Sequence, residues 1–130
     1  MKIAFCDSSA IVKLVVVETE SAALRLALQQ YARRNTSDVS LVEVPRAVSR
    51  RDPKLESQSH RILNKFETLA MSEHIAARAA LLNPKELRSL DAIQLAAALS
   101  ISTVEIDFIA YDERLLQAAA QAGLRTLSPS

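Results

Sequence analysis

Residues 2–14 read KIAFCDSSAIVKL. The apolar run Ile3-Ala4-Phe5-Cys6 has the length and character of a buried strand, and it stops at a carboxylate, Asp7. Two serines follow, and SSAIVKLVVVE (8–18) fits either a strand, through Ile11, Val12 and Val15–Val17, or a helix capped by Ser8 or Ser9. The pattern returns late in the chain. VEIDFIAYD (104–112) predicts a strand ending at Asp112, followed by a helix in ERLLQAAAQAG that stops at Gly123 in the C′ position. If the two strands run parallel, both carboxylates lie on one edge of a sheet.

The intervening sequence is helical in pattern. ETESAALRLALQQYARR (18–34) places Ala23, Leu24, Ala27, Leu28 and Tyr31 at helical spacing, and NTS at 35–37 ends the pattern. SDVSLVEVPRAVSRR (37–51) predicts a helix capped by Ser37, with Val39, Val42, Ala47 and Val48 inward and Pro45 kinking or interrupting it. ESQSHRILNKFETLAM (56–71) and SEHIAARAALL (72–82) predict two more helices, the second capped by Ser72. A strong helix runs from about Ser89 to Leu99, and LRTLS (124–128) fits a short final strand. Strands alternating with helices give an α/β fold with a short parallel sheet flanked by helices. In such sheets ligands bind beyond the carboxyl ends of the strands.

Composition bounds the chemistry. The 130 residues suit one domain spanning 1–130, and 49% hydrophobic with 24% charged residues supports a core without staples. Aromatics are only 4%, so the core must be aliphatic and alanine-rich. A single glycine excludes the glycine-rich phosphate loops of dinucleotide and P-loop sites. The single cysteine, Cys6, reads as a small buried hydrophobe, and His60 and His74 as surface residues without zinc-ligand spacing. No signal peptide or membrane-length run is present, which points to a cytoplasmic chain. Net charge is +1, but residues 33–65 carry eight basic against four acidic side chains, a segment that could meet a polyanion or simply be a solvated helical surface.

Each acid taken singly has an ordinary explanation. Asp7 and Asp112 could cap the helices that follow them. Asp91, in LRSLDAIQLA, could stabilise a helix N-terminus, and Glu43, in SLVEVPRAV, could face solvent. Together they form a set. Carboxylates converging on one sheet edge repel each other unless a divalent cation neutralises them, and oxygen-only ligands suit Mg²⁺ or Mn²⁺. That chemistry is metal-assisted phosphodiester hydrolysis.

FCDSSAIVKL (5–14), TSDVSLVEVPRAVSR (36–50), LRSLDAIQLAAAL (87–99) and FIAYDERLLQAAAQAGL (108–124) resemble, in family order, the motifs of PIN domains of the VapC type, the toxin ribonucleases of bacterial and archaeal toxin–antitoxin pairs. The resemblance covers nearly the whole chain, with little signal at about 52–75. It implies that Asp7, Glu43, Asp91 and Asp112 bind one or two Mg²⁺ or Mn²⁺ ions and are the catalytic acids. It further implies attack by an activated water, with no covalent enzyme intermediate. Ser8 or Ser9 would orient Asp7 or contact phosphate, unless they only cap the helix. One departure is Ala110, which stands where these domains often carry Thr or Ser. Arg114 follows the family habit of a basic residue two after the last acid, where it could hold Asp112, contact RNA or simply be exposed. The resemblance also implies an RNA substrate such as tRNA or ribosomal RNA, a VapB-like antitoxin and a homodimer. Leu14, Val16 and Val17 are candidates for the antitoxin groove or dimer face, with core packing as the alternative. Arg46, Arg50 and Arg51 are candidates for the RNA backbone.

Three other readings stay open on the sequence. One is a housekeeping RNA-processing PIN nuclease without an antitoxin. Another is a catalytically weak PIN module that binds RNA or protein. The third, a response-regulator-like phosphotransferase, wants a phosphoacceptor Asp after a mid-chain strand, whereas Asp91 opens an alanine-rich helix.

Overall fold

The computed structural model describes residues 2–102 and 105–130. Five strands form one parallel sheet: β1 (Ile3–Cys6), β2 (Arg33–Ser37), β3 (Glu67–Leu69), β4 (Ile106–Ile109) and β5 (Arg125–Leu127), in the order β3-β2-β1-β4-β5. Seven α-helices accompany them among the described residues: α1 (Ser8–Val15), α2 (Ser21–Leu28), α3 (Ser40–Arg51), α4 (Glu56–Leu63), α5 (Glu73–Leu81), α6 (Ser89–Ser100) and α7 (Glu113–Gln121). The predicted α/β architecture is therefore present. Val104, the first residue of the strand expected at 104–112, lies outside the described residues.

Side-chain alternation along the strands sorts the core into two layers. Ile3 and Phe5 of β1 and Ile106 and Phe108 of β4 face α5, α6 and α7, where they meet Leu95 and Leu115. Phe5 and Phe108 stack with ring centroids 5.6 Å apart. Ala4, Cys6 and Ile109 face the opposite layer, built from α1 to α4 with Ile11, Leu24, Leu28, Val44 and Val48. Burial on both sides explains why β1 and β4 read as continuous apolar runs, and why alanine-rich α6 can pack closely.

Several local expectations change. The helix predicted through residue 34 ends at Leu28, and the polar stretch Arg33–Ser37 is an internal strand between β1 and β3. Asn35, Thr36 and Ser37 are buried there, held by the ladder and by side-chain hydrogen bonds rather than by apolar packing. The helix predicted over 56–71 ends at Leu63, and Glu67–Leu69 forms the edge strand β3. α3 begins at Ser40 rather than at a Ser37 cap, and it runs through Pro45. That start turns Val44 and Val48 inward and leaves Val42 63% exposed, against the expectation for Val42. The ambiguous segment after Asp7 is the helix α1. Leu14 and Val16 are core residues, so of the three proposed surface positions only Val17 is exposed. Cys6, His60, His74 and Gly123 fall as expected: the first buried, the histidines exposed, and the glycine at φ 97° after α7. No helix among the described residues is long and apolar enough to cross a membrane.

Candidate active site

From β1 the chain goes to β2 on one side, while β4 lies on the other, so the strand order reverses at β1/β4. Crevices of parallel sheets open at such points, beyond the carboxyl ends of the strands. Asp7 follows β1 and Asp112 lies just past β4, and the Asp7 amide donates to the Ile109 carbonyl at 3.2 Å, which keeps the two strand ends together. An open cleft of about 460 Å³ lies there. Asp7, Glu43, Asp91 and Asp112 all line it, with Ser8, Ser9, Arg46, Arg50 and Arg88. Four acids from four separate segments thus share one wall of solvent. A neighbouring lobe shares Arg88, Asp91 and Asp112 and adds Arg114.

Each acid is placed by its local structure. Asp7 caps α1, accepting from the Ala10 amide at 3.1 Å and from the Ser9 hydroxyl at 2.7 Å, both at Oδ1. The same Ser9 oxygen accepts from the Tyr111 amide at 3.1 Å, linking the two strand-end segments. Asp112 caps α7 through the Leu115 amide at 3.0 Å. Capping and lining the cleft are thus compatible for both residues. Asp91 stands in the first turn of α6, where the helix dipole favours an anion. Glu43, in the first turn of α3, accepts from the Ser8 hydroxyl at 2.7 Å.

The electrostatics register the convergence. Asp7 is only 4% exposed, and burial pushes its carboxyl up to about 7, opposed by the Ser9 and Ala10 hydrogen bonds and reinforced by the charge of Asp91. Burial also raises Asp91, whose shift is reduced by Arg88 and increased by Asp112 and Glu43. Arg88, with its side chain 77% exposed, spans Asp91 at 3.3 Å and Asp112 at 3.5 Å, offsetting their repulsion. Cys6 is not a nucleophile here: burial holds its thiol far above the ordinary range.

Not every predicted residue reaches the cleft. Arg46 and Arg50 line it, but Arg51 pairs with Glu18 at 3.5 Å on the outer side of α3. Ala110 is fully buried in the apolar layer beneath α5, α6 and α7 and is not among the residues that line the cleft. Three polar residues were missed on the sequence. Gln94, Ser40 and Thr36 form a buried hydrogen-bonded group under Ser8 and Glu43. Gln94 had a signal, as a lone amide in an otherwise apolar helix three residues after Asp91. Ser40 and Thr36 had none.

The family model of the PIN domain matches residues 4–121. A ribonuclease named VapC47, from Mycobacterium tuberculosis, is 35% identical over 130 residues, covering 96% of both chains. The crystal structure of M. tuberculosis VapC20, a Sarcin-Ricin loop cleaving toxin, superposes with a TM-score of 0.76 at 17% identity, covering 97% of this chain and 99% of that one. A toxin–antitoxin complex from Klebsiella pneumoniae does so with a TM-score of 0.73 at 23% identity, covering 98% of each. The strand-end acids, the switch-point cleft and this full-length match agree: the chain belongs to the PIN-domain family, in its VapC ribonuclease branch.

Proposed function

We propose that this chain is a metal-dependent endoribonuclease toxin. It hydrolyses phosphodiester bonds in a structured cellular RNA, tRNA or ribosomal RNA, in the cytoplasm, and a VapB-like antitoxin neutralises it. The observation that carries this reading is the meeting of Asp7, Glu43, Asp91 and Asp112 on one cleft at the switch point of the sheet.

The donor set fits a hard cation, Mg²⁺ or Mn²⁺. All four side chains are carboxylates, one of them buried, and the Arg88 guanidinium bridges two of the others. Among the described residues no three acidic, His or Cys side chains form a ready cage. An ion that keeps several waters and is held by one or two carboxylates plus the substrate phosphate needs none. Asp7 and Asp91 would be the firmest ligands, with Glu43 and Asp112 completing the set. When bound, such an ion supplies charge stabilisation at the phosphate and lowers the pKa of a water.

The protein's own groups do the rest. Ser9 and the Ala10 amide fix Oδ1 of Asp7, and Ser8 fixes Oε1 of Glu43. Arg46 and Arg50 line the cleft from α3, where they would meet backbone phosphates, and Arg114 lines the adjoining lobe. With few aromatics available for base stacking, recognition rests on RNA shape and charge.

The partner reading has its own support. Leu41, Val42 and Leu90 are exposed, and the latter two line the acidic cleft. An antitoxin segment combining apolar residues with a basic one would match them, and the structural neighbours include a toxin–antitoxin complex. A homodimer is proposed on the family likeness. The test is cleavage of total and transfer RNA by antitoxin-free protein with Mg²⁺ or Mn²⁺ against EDTA, beside Asp7→Asn. Cation-dependent cleavage lost in the variant is expected. Cleavage that survives EDTA, or is equal in the variant, would count against the proposal.

A further inference from the structure

Beneath the cleft, an amide and three hydroxyls form a chain with a fixed proton order. Gln94 is 1% exposed and sits one turn after Asp91 on α6. Its Nε2 donates to Ser8 Oγ and Ser40 Oγ, each at 2.9 Å. An amide nitrogen has two protons, and both are used. Each serine then turns its own single proton elsewhere. Thr36 donates to the Cys6 carbonyl at 2.6 Å, so Ser40 donates to Thr36 at 2.7 Å. Ser8 donates to Glu43 Oε1 at 2.7 Å. The Ser8 and Ser40 oxygens are 3.1 Å apart, but neither keeps a proton for the other.

In this orientation both amide protons reach acceptors, the Ser8 and Ser40 oxygens, and Ser8 keeps its own proton for Glu43. The orientation present leaves one orphan, Gln94 Oε1, which is buried without a partner. A side chain kept only to fill the core would not leave an acceptor unsatisfied, because an apolar group of the same length fills that space without the cost.

We infer that Gln94 is a positioning residue for the acidic site: by donating one proton to Ser8 and one to Ser40, it holds the Ser8 hydroxyl in the orientation that gives its proton to Glu43 and fixes that carboxylate toward the cleft. The inference rests on the reading of Glu43 as a ligand of a hard cation. Gln94 touches neither cation nor RNA and acts through Ser8.

The test is calorimetric titration with Mn²⁺ of the wild type, Gln94→Met, Ser8→Ala and the double variant, with Tm measured for each. Gln94→Met is expected to keep a wild-type or higher Tm, since the orphan is removed and the freed serines can bond each other. Its Mn²⁺ affinity is expected to fall by about tenfold or more, the usual effect of removing a partner that orients a ligand. Ser8→Ala should fall similarly, and the double variant no further than Ser8→Ala alone, because one pathway is being cut twice. Wild-type affinity in Gln94→Met, or multiplied losses in the double variant, would overturn the inference. Should Gln94→Met fail to fold, Ser8→Ala decides alone, and wild-type affinity there overturns it. Glu43→Gln run alongside separates the two levels. Lost binding in Glu43→Gln with intact binding in Gln94→Met sinks only the role of Gln94, whereas undiminished binding in Glu43→Gln sinks the reading of Glu43 as a ligand.

Discussion

Ser9 donates to the Asp7 carboxylate across 2.7 Å while accepting from the Tyr111 amide, so one hydroxyl ties the end of β1 to the segment after β4. That bond steadies a carboxylate that burial disfavours in its charged form, and the balance sets a pH dependence.

Asp7 titrates near 7 in the fold and near 4 in an unfolded chain. The folded state therefore binds the extra proton between those values, and its stabilising contribution is complete below about pH 4. It is lost as pH rises through 7, a difference on the order of 4 kcal/mol. Metal-free protein should lose Tm between about pH 4 and 7, and Mn²⁺ should restore it. Asp7→Asn, which keeps an acceptor for the α1 cap, should flatten the profile and raise Tm at pH 8. Melting curves of both proteins across that range check this, and parallel profiles would contradict it.

Arg88 competes with any cation for Asp91 and Asp112. It is exposed, so each pair is weak, roughly 0.2–1 kcal/mol. Arg88→Ala should raise Mn²⁺ affinity by up to about fivefold, measured by titration calorimetry. Weaker binding would indicate that Arg88 orders the acids instead of competing for them.

Arg46 and Arg50 line the cleft, whereas Arg51 is engaged by Glu18 outside it. The Arg46→Ala/Arg50→Ala double variant should bind RNA more weakly and with a shallower salt dependence, by about 0.7 in log–log slope for each phosphate left unneutralised. Mn²⁺ affinity should not change. Arg51→Ala should bind RNA nearly as wild type does. Filter binding at several salt concentrations distinguishes the three, and equal losses for all three would make the contribution one of net charge alone.

Ala110 is packed in the core, so restoring a hydroxyl should not help. Ala110→Thr should lower stability by about 1–3 kcal/mol through overpacking, read as a lower Tm, without increasing the rate of RNA cleavage. A faster enzyme of unchanged Tm would show that position 110 communicates with the site.

The parts of the fold that speak in sequence are those whose burial is apolar. β1, α6, α7 and the acids at their ends were readable because an apolar run stopped by a carboxylate has few structural alternatives. β2 was not, because Asn35 and Thr36 are held in the interior by hydrogen bonds to the distant Glu67 and Cys6 carbonyls, and helix-favouring alanines and leucines precede them. β3 was hidden because Phe66, which anchors the segment before it, continues the helical spacing of Ile62 and Leu63. At the site, Asp7 and Asp112 follow from strand ends. Glu43 gains meaning only once α3 is folded against α1, and the network beneath it arises only when α1, α3, β2 and α6 meet.

The most direct test is Mn²⁺ titration of metal-free protein at pH 8, repeated with Asp7→Asn, Glu43→Gln, Asp91→Asn and Asp112→Asn. One shared site predicts saturable binding by the wild type that every substitution weakens, Asp7→Asn and Asp91→Asn most. Wild-type binding retained in all four variants would contradict the assignment of these acids to a common cation site.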